Sequence, residues 1–493
     1  AGGVGFANMR DALKGTPVAG EKVVVMGGDN YRIGMGGGAV SSVETGQYDN
    51  AIELNAVQRA NPEMQKRVSN VIRAMSEAEE NPIVSIHDHG AGGHLNALSE
   101  LVEETGGLLH LDQLPVGDPT LSAKEIVGNE SQERMGIVIR EEDIEHIRQI
   151  ADRERAPFYV VGETTGDHRF VFEQTDGVKP IDLAMADMFG KAPRTVMTDR
   201  TVEETYEDVT YDQTQLDEYV ERVLQLEAVA CKDWLTNKVD RSVTGKIARQ
   251  QCQGEIQLPL SDCGVVALDY PGRAGIATSI GHAPQAALVE PAARSVLSIA
   301  EALTNIVWAP LSEGLDSVSL SANWMWPCKN EGEDARLYRA VEACSDLAFS
   351  MTQKYGKDKA YSPGTVIISA GAEVSDIRKV VSPVLRTGVT STIYYIDFSF
   401  DKLKLGGSAF AQSLDKIGKE VPTVQDSEYF ANAFNAVQEL INKELILAGH
   451  DISAGGMITT MLEMNFANTE GGLAVSFDEI PEKDLVKILF SVN

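Results

Sequence analysis

The chain has 493 residues, 43 % hydrophobic and 24 % charged, and a formal net charge of −30. At roughly 100 to 200 residues per domain this length predicts about three domains, and the composition excludes disordered and fibrous chains. The acidic balance excludes a general basic surface for nucleic acid, and no run of about 18 apolar residues is present to span a bilayer.

From Glu21 to Phe172 strand and helix patterns alternate. Strands are predicted at Lys22 to Met26, Ile83 to Ile86, Arg134 to Arg140 and Phe158 to Gly162, and helices at Asn61 to Glu80, His94 to Glu104 and Glu141 to Arg155. An acidic stretch from Asp199 to Asp212 reads as a linker. A helix from Leu216 to Asn237, a strand from Ile256 to Asp269 and a long apolar helix from Pro284 to Trp308 come next. Strand Ser317 to Asn323, helix Glu333 to Phe349 and strand Thr365 to Ala372 complete a second unit. The last unit is predicted to hold a strand at Thr392 to Phe398 and a helix at Ser427 to Leu447. It stops inside the apolar run Val486 to Val492, which does not read as a natural terminus.

The start, Ala1 to Gly5, shows no secretory leader, and five cysteines without a Cys-x-x-Cys pair fit reduced thiols, so a cytoplasmic chain is expected. An acidic protein that handles phosphorylated ligands needs placed carboxylates with Mg²⁺ as the bridge between like charges.

Two segments recur. Ser85 to Gly93 contains His87-Asp88-His89-Gly90-Ala91-Gly92-Gly93, and Ala448 to Gly456 contains His450-Asp451-Ile452-Ser453-Ala454-Gly455-Gly456. Upstream, Met35 to Val40 pairs with Leu405 to Phe410, so the order is kept and the first and last units are expected to be copies of one domain around a different one. In each copy an apolar strand delivers an Asp before glycines that open a helix. That geometry can place Asp88 or Asp451 on a metal, or make either a simple helix cap. His87 and His450 can equally be packing or supporting groups. Glu301 and Asn305, four apart on one helix, share a face and could supply two oxygen ligands, and Asp262 after a strand is a further candidate ligand or turn residue. Asn129 to Arg134 gathers polar groups at a strand start, and the glycines Gly34 to Gly38 lack the Lys-Ser/Thr of a P-loop.

Six strings in order carry a resemblance: Gly34 to Gly38, Asn55 to Met64, His87 to Gly93, Gly128 to Arg134, Ala300 to Asn305 and Leu320 to Trp324. Together they resemble the large, single-chain phosphoribosylformylglycinamidine synthase family over essentially the whole chain. The resemblance implies an α/β (α+β) architecture of duplicated aminoimidazole-ribonucleotide-synthetase-like domains. It places a first C-terminal-type domain at 1–198, incomplete at its start, and a linker and helix start at 199–226. A second N-terminal-type domain follows at 227–372, then a second C-terminal-type domain at 373–493, incomplete at its end.

The resemblance further implies ATP-dependent amidation of formylglycinamide ribonucleotide through an iminophosphate, with ammonia supplied by a glutaminase domain outside this chain. The family's catalytic ATP lies largely on a first N-terminal domain, also outside it. By position, Gln58, Glu130, Ser131 and Gln132 resemble substrate-binding residues and Asp88 a Mg²⁺ ligand. Asp262, Glu301, Asn305 and Asp451 resemble Mg²⁺ ligands of an auxiliary ADP or ATP, with Ser261 and Ser453 beside that nucleotide. One departure is clear: a Pro-x-Gly-Lys-Asp-Ser segment usual in the family is missing after Ala348-Phe349, and Gly356-Lys357-Asp358 is no convincing replacement. Two other readings are a nucleotide-binding scaffold without activity and another synthetase of the same superfamily.

Overall fold

The computed structural model describes residues 5–492 apart from 6, 38–39, 41–46, 57–60, 132, 192, 203–204, 240, 329 and 352–364. Gln58, Gln132 and the Gly356-Lys357-Asp358 segment lie outside the described residues. The chain divides into a unit of Gly5–Thr195 and one built on Val196–Asn493.

The first unit is a seven-stranded sheet with helices on both faces. Its strands are β1 (Lys22–Met26), β2 (Ile83–Asp88), β3 (Gly107–His110), β4 (Met135–Ile139), β5 (Phe158–Thr164), β6 (Arg169–Glu173) and β7 (Ile181–Ala184), in the order β2-β4-β1-β5-β3-β6-β7. Every neighbouring pair is antiparallel except β3 with β6. β1 is an interior strand, and its alternating side chains feed two cores. Val23 and Val25 pack with Leu98 and Leu101 of helix α2 (Gly93–Leu101). Val24 and Met26 pack with Val68 and Val71 of α1 (Pro62–Ser76) and Ile147 of α3 (Ile144–Glu154). A strand buried on both faces reads as a continuous apolar run, which is why Val23-Val24-Val25-Met26 was legible and the short, half-exposed β7 was not.

The second unit contains β8 (Ile247–Arg249), β9 (Cys252–Gln253), β10 (Leu258–Pro259), β11 (Gly264–Ala267), β12 (Gly275–Gly281), β13 (Ser319–Met325) and β14 (Thr365–Val374). β9 and β10 form a small hairpin, and the others an antiparallel sheet ordered β13-β14-β12-β11-β8. Helix α4 (Leu216–Leu224) precedes the sheet, and α5 (Pro291–Ile306) and α6 (Glu333–Met351) pack on it. α7 (Ser427–Asn442) adds Phe430, Phe434, Val437 and Ile441 to the same core. Gln438 fixes that junction from inside: its Nε2 donates to Val307 O at 2.6 Å and Ala309 O at 2.9 Å, and its Oε1 accepts from Leu311 N at 2.8 Å. Those bonds satisfy carbonyls that the end of α5 would otherwise leave buried and unpaired. α8 (Gly456–Phe466) and α9 (Leu485–Phe490) follow, and α9 sets Phe490 against Phe410 with ring centroids 4.9 Å apart.

Several predicted elements are corrected. The single helix over Leu216 to Asn237 is α4 plus a separate turn at Asp233–Thr236. The helix over Pro284 to Trp308 is Pro284–Val289 and then α5, because Pro291 cannot continue a helix and instead starts one capped by Glu290. The strand over Ile256 to Asp269 is β10 and β11 separated by a bend at Asp262-Cys263. The helix ending at Leu447 stops at Asn442, with Glu444 at φ 58° just beyond. Thr392 to Phe398 forms no strand. It stands before the second glycine segment as β1 stands before the first, but β1 is paired on both sides by β4 and β5. No strand among the described residues pairs with 392–398.

Candidate functional site

The second unit gathers carboxylates from separate elements. After β10, Ser261 N donates to Gln251 O at 3.1 Å, extending the hairpin and leaving Asp262 in the bend before β11 with its side chain 5 % exposed. Asp451 arrives on the loop opening α8. There Gly455 (φ 100°) and Gly456 (φ 74°) take a left-handed path, and a Cβ on Gly456 would lie 2.5 Å from Leu489 O, so only glycine lets α8 start against α9.

His450 stands between the acids. Its Nδ1 is 2.6 Å from Asp262 Oδ1 and 3.8 Å from Asp451 Oδ1, and its Nε2 is 2.9 Å from Glu463 Oε2. Burial alone would pull the imidazole down, but the charge and hydrogen bond of Asp262, with Glu463 and Asp451, hold its pKa well above the usual histidine range. Both ring nitrogens therefore donate to carboxylates. In that state His450 serves as an internal counter-cation, and with Asp262 and Asp451 it also forms the group of candidate metal ligands among the described residues.

On α5, Glu301 Oε2 accepts from His282 N at 2.7 Å, and Asn305 Nδ2, one turn on, donates to Ile280 O at 3.1 Å. Both side chains are thereby tied to the end of β12. Gly281 makes that approach possible, since a Cβ there would sit 2.2 Å from Ser298 O and 2.3 Å from Ala302 N. Burial, then the charge of Asp262 and also that of Glu301, pushes the Asp451 carboxyl well above its ordinary range. Burial likewise raises Asp262 and Glu301.

Asp451 Oδ2, Ser261 Oγ and Thr459 Oγ1 are buried with no hydrogen-bond partner. Each costs about 1–3 kcal/mol unless something else supplies the partner. The carboxylates of Asp262 and Asp451, with an orphaned oxygen between them, fit a hard divalent cation such as Mg²⁺; the Glu301 charge is felt at Asp451, but among the described residues the group of candidate ligands is Asp262, His450 and Asp451, without Glu301. Ser453 is half-buried on the same loop, and its carbonyl accepts from Gly456 N at 2.9 Å.

The first copy shares the backbone of the second. Gly92 (φ 81°) and Gly93 (φ 57°) repeat the left-handed pair, and His87 Nε2 lies 2.5 Å from Glu100 Oε2, the same separation along the chain as His450 and Glu463. The acids differ. Asp88 is 70 % exposed at the end of β2, and among the described residues no group of three candidate metal ligands includes it.

Three loops of the first unit instead converge on Glu130, which is fully buried. Its Oε1 accepts from Gly92 N at 3.0 Å, and its N donates to Gly34 O at 2.7 Å. Ser131, buried beside it, donates from Oγ to Asn129 Oδ1 at 3.4 Å. Beneath them Arg134 donates to Gly28 O at 2.9 Å, Asp29 O at 3.1 Å and Asn129 Oδ1 at 2.8 Å. Arg134 also reaches His94 Nε2 at 3.1 Å, and His94 Nδ1 is 2.9 Å from His89 Nε2. Arginine can only donate, so His94 carries its proton on Nδ1 and passes the same polarity to His89. Sequence reasoning missed this chain of groups and the two His–Glu pairs. Only the repeated spacing of histidine and glutamate could have signalled the pairs.

Residues 18–174 and 393–493, more than half of the chain, match the family described as AIR synthase related protein, C-terminal domain. Residues 231–385 match the FGAR-AT PurM_N-like domain. The chain is similar to phosphoribosylformylglycinamidine synthase of Dictyostelium discoideum (36 % identical, 99 % of this chain, 39 % of that protein). It is also similar to that of Homo sapiens (38 % identical, 99 % and 39 %), and so spans about two fifths of the length of these relatives. In fold it resembles the structure titled T. maritima PurL complexed with FGAR, with TM-score 0.55 at 18 % identity over 75 % of this chain and 57 % of that one. The structure titled T. maritima PurL complexed with ATP gives 0.52 at 19 % over 75 % and 56 %. The chain therefore belongs to the AIR synthase-related family, with two matches to its C-terminal domain on either side of an FGAR-AT PurM_N-like domain.

Proposed function

We propose that this chain is part of an ATP-dependent ligase that amidates formylglycinamide ribonucleotide in purine biosynthesis, and that its second unit holds an auxiliary ADP or ATP with Mg²⁺. The relatives' names support the first half, together with neighbouring structures titled as complexes with FGAR, ATP and ADP. The second half rests on one observation: Asp262 and Asp451, brought from distant segments, form a buried acidic pair with an unpartnered carboxylate oxygen.

In this reading Asp262, Glu301, Asn305 and Asp451 hold Mg²⁺, and Ser261 and Ser453 lie beside the nucleotide. A bound Mg²⁺ offsets phosphoryl charge that the four side chains would otherwise repel. His450 and Glu463 orient Asp262, and the α5–β12 contact orients Glu301 and Asn305. In the first unit Glu130, Ser131, Gln58 and Gln132 would bind the ribonucleotide, and Asp88 would be a Mg²⁺ ligand of the catalytic half.

The substrate's amide oxygen attacks the terminal phosphorus of ATP and ADP leaves. Ammonia, delivered by a glutaminase domain, then adds to the activated carbon, and phosphate leaves as the C–N bond is completed. The residues position and screen charge, and no covalent enzyme intermediate is needed.

Asp451→Asn, Glu301→Gln and Asn305→Ala test the auxiliary site. Each is expected to reduce the nucleotide co-purifying with the full-length protein and to lower Tm. A ligand present at 100 times its Kd contributes about 2.7 kcal/mol to stability. Nucleotide content and Tm equal to wild type in all three variants would overturn the site. Ammonia-dependent phosphate release with the ribonucleotide tests the reaction itself.

A further inference from the structure

A cavity of about 450 Å³ opens beside the β9–β10 hairpin, lined by Arg241, Arg249, Gln250, Gln253 and Gln257 among others, and among the described residues none that lines it is acidic. In a chain of net charge −30 such a cationic pocket stands out, and the larger cavity of the same unit, about 1000 Å³, mixes four lysines with five carboxylates. Among the described residues neither arginine has an anionic partner. Arg241 donates to the amide oxygens of Gln250 at 2.8 Å and Gln257 at 2.6 Å. Arg249 donates to Gln253 Oε1 at 2.8 Å and Val380 O at 2.7 Å, and its Nε is buried without a partner.

Burying a guanidinium without a counter-charge is costly. Here the acceptors are neutral, and they fix the two planar forks in place while leaving their charge unspent. Paired guanidinium groups held this way suit the oxygens of a phosphate, which they can engage bidentately.

The pocket is also close in the fold to the acidic cluster. β8, which ends at Arg249, pairs with β11 so that Arg249 faces Val265, and the hairpin that lines the pocket leads through Ser261 to Asp262. The Arg249 charge is felt at Cys263, next to Asp262.

We infer that the Arg241/Arg249 cavity is an oxyanion subsite that takes a phosphate or phosphoryl group. The occupant is either free inorganic phosphate or the terminal phosphate of a nucleotide held at the acidic cluster. Only the second source rests on the auxiliary-nucleotide reading.

The test is calorimetric titration of the full-length protein with inorganic phosphate, and separately with ADP and Mg²⁺, for wild type, Arg241→Gln, Arg249→Gln and Asp451→Asn. Arg241→Gln is the decisive variant, because Arg241 is half-buried and glutamine keeps a donor for its neighbours. We expect Arg241→Gln to weaken at least one probe tenfold or more, with wild-type affinity for that probe falling as ionic strength rises. Loss of phosphate alone identifies the free anion, and loss of both identifies the nucleotide's phosphate. If Arg241→Gln and Arg249→Gln bind both probes as wild type does, or wild type binds neither, the subsite is overturned. Asp451→Asn separates the two ideas, since failure of the nucleotide reading leaves phosphate binding to wild type and its loss in Arg241→Gln untouched.

Discussion

At the scale of single residues, His450 decides the electrostatics of the second unit. Its side chain is 7 % exposed and its two nitrogens are bonded to Asp262 and Glu463, so the acidic cluster carries its own cation. Removing one partner of a buried pair leaves the other uncompensated, at a cost of about 3–5 kcal/mol. His450→Gln is therefore expected to lower Tm sharply without Mg²⁺, and Mg²⁺ to raise the variant's Tm by more than it raises that of wild type. Equal responses to Mg²⁺ in a thermal melt would show that His450 does not balance the charge of that cluster. The histidine was visible in the repeated motif, but nothing in a sequence says which carboxylates stand at its two nitrogens. Asp262 lies far from it along the chain.

At the scale of elements, the seating of β12 on α5 sets the site. A Cβ on Gly281 would collide with Ser298 O and Ala302 N, both backbone atoms that no side-chain rotation can move aside. Gly281→Ala must therefore push the strand off the helix, carrying His282 and Ile280 away from Glu301 and Asn305. We expect a loss of about 1–3 kcal/mol in chemical denaturation, as for other overpacked contacts, and weaker nucleotide retention. Wild-type stability in Gly281→Ala would refute the close approach. β12 itself was missed from sequence, because Gly275, Thr278, Ser279 and Gly281 dilute its apolar alternation. The break at Pro291 could have been read from the proline, and it matters because it lets α5 start with its own cap at Glu290.

At the scale of the whole molecule, the two copies of the motif differ in charge environment although their glycine turns agree. In the Gly5–Thr195 unit the buried centre is Arg134-His94-His89. Burial, then the Arg134 charge and the neighbouring His89, hold the His94 pKa well below the ordinary range. The folded unit therefore keeps His94 neutral, while the unfolded chain takes up a proton below a pH of about 6.5. This contribution is fully present above that pH and is lost as pH falls, by about 1.4 kcal/mol per pH unit until the folded-state value is reached. Denaturation of wild type and His94→Leu between pH 7.5 and 5.5 should show a shallower loss in the variant, and identical pH slopes would count against a neutral buried His94.

The sequence by itself determined the duplication, the α/β character, the apolar run Val23 to Met26 of the first unit and the candidacy of Asp262 and Asp451 in the second. Those follow from period, composition and repeated strings, which are local properties of the chain. Only the tertiary structure decided that Asp262 and Asp451 meet around His450, that Asp88 is exposed, and that Arg241 and Arg249 share a pocket with no carboxylate among its described lining residues. Charge balance inside a fold depends on which groups approach through space and how much water they lose, and neither quantity is written along the chain.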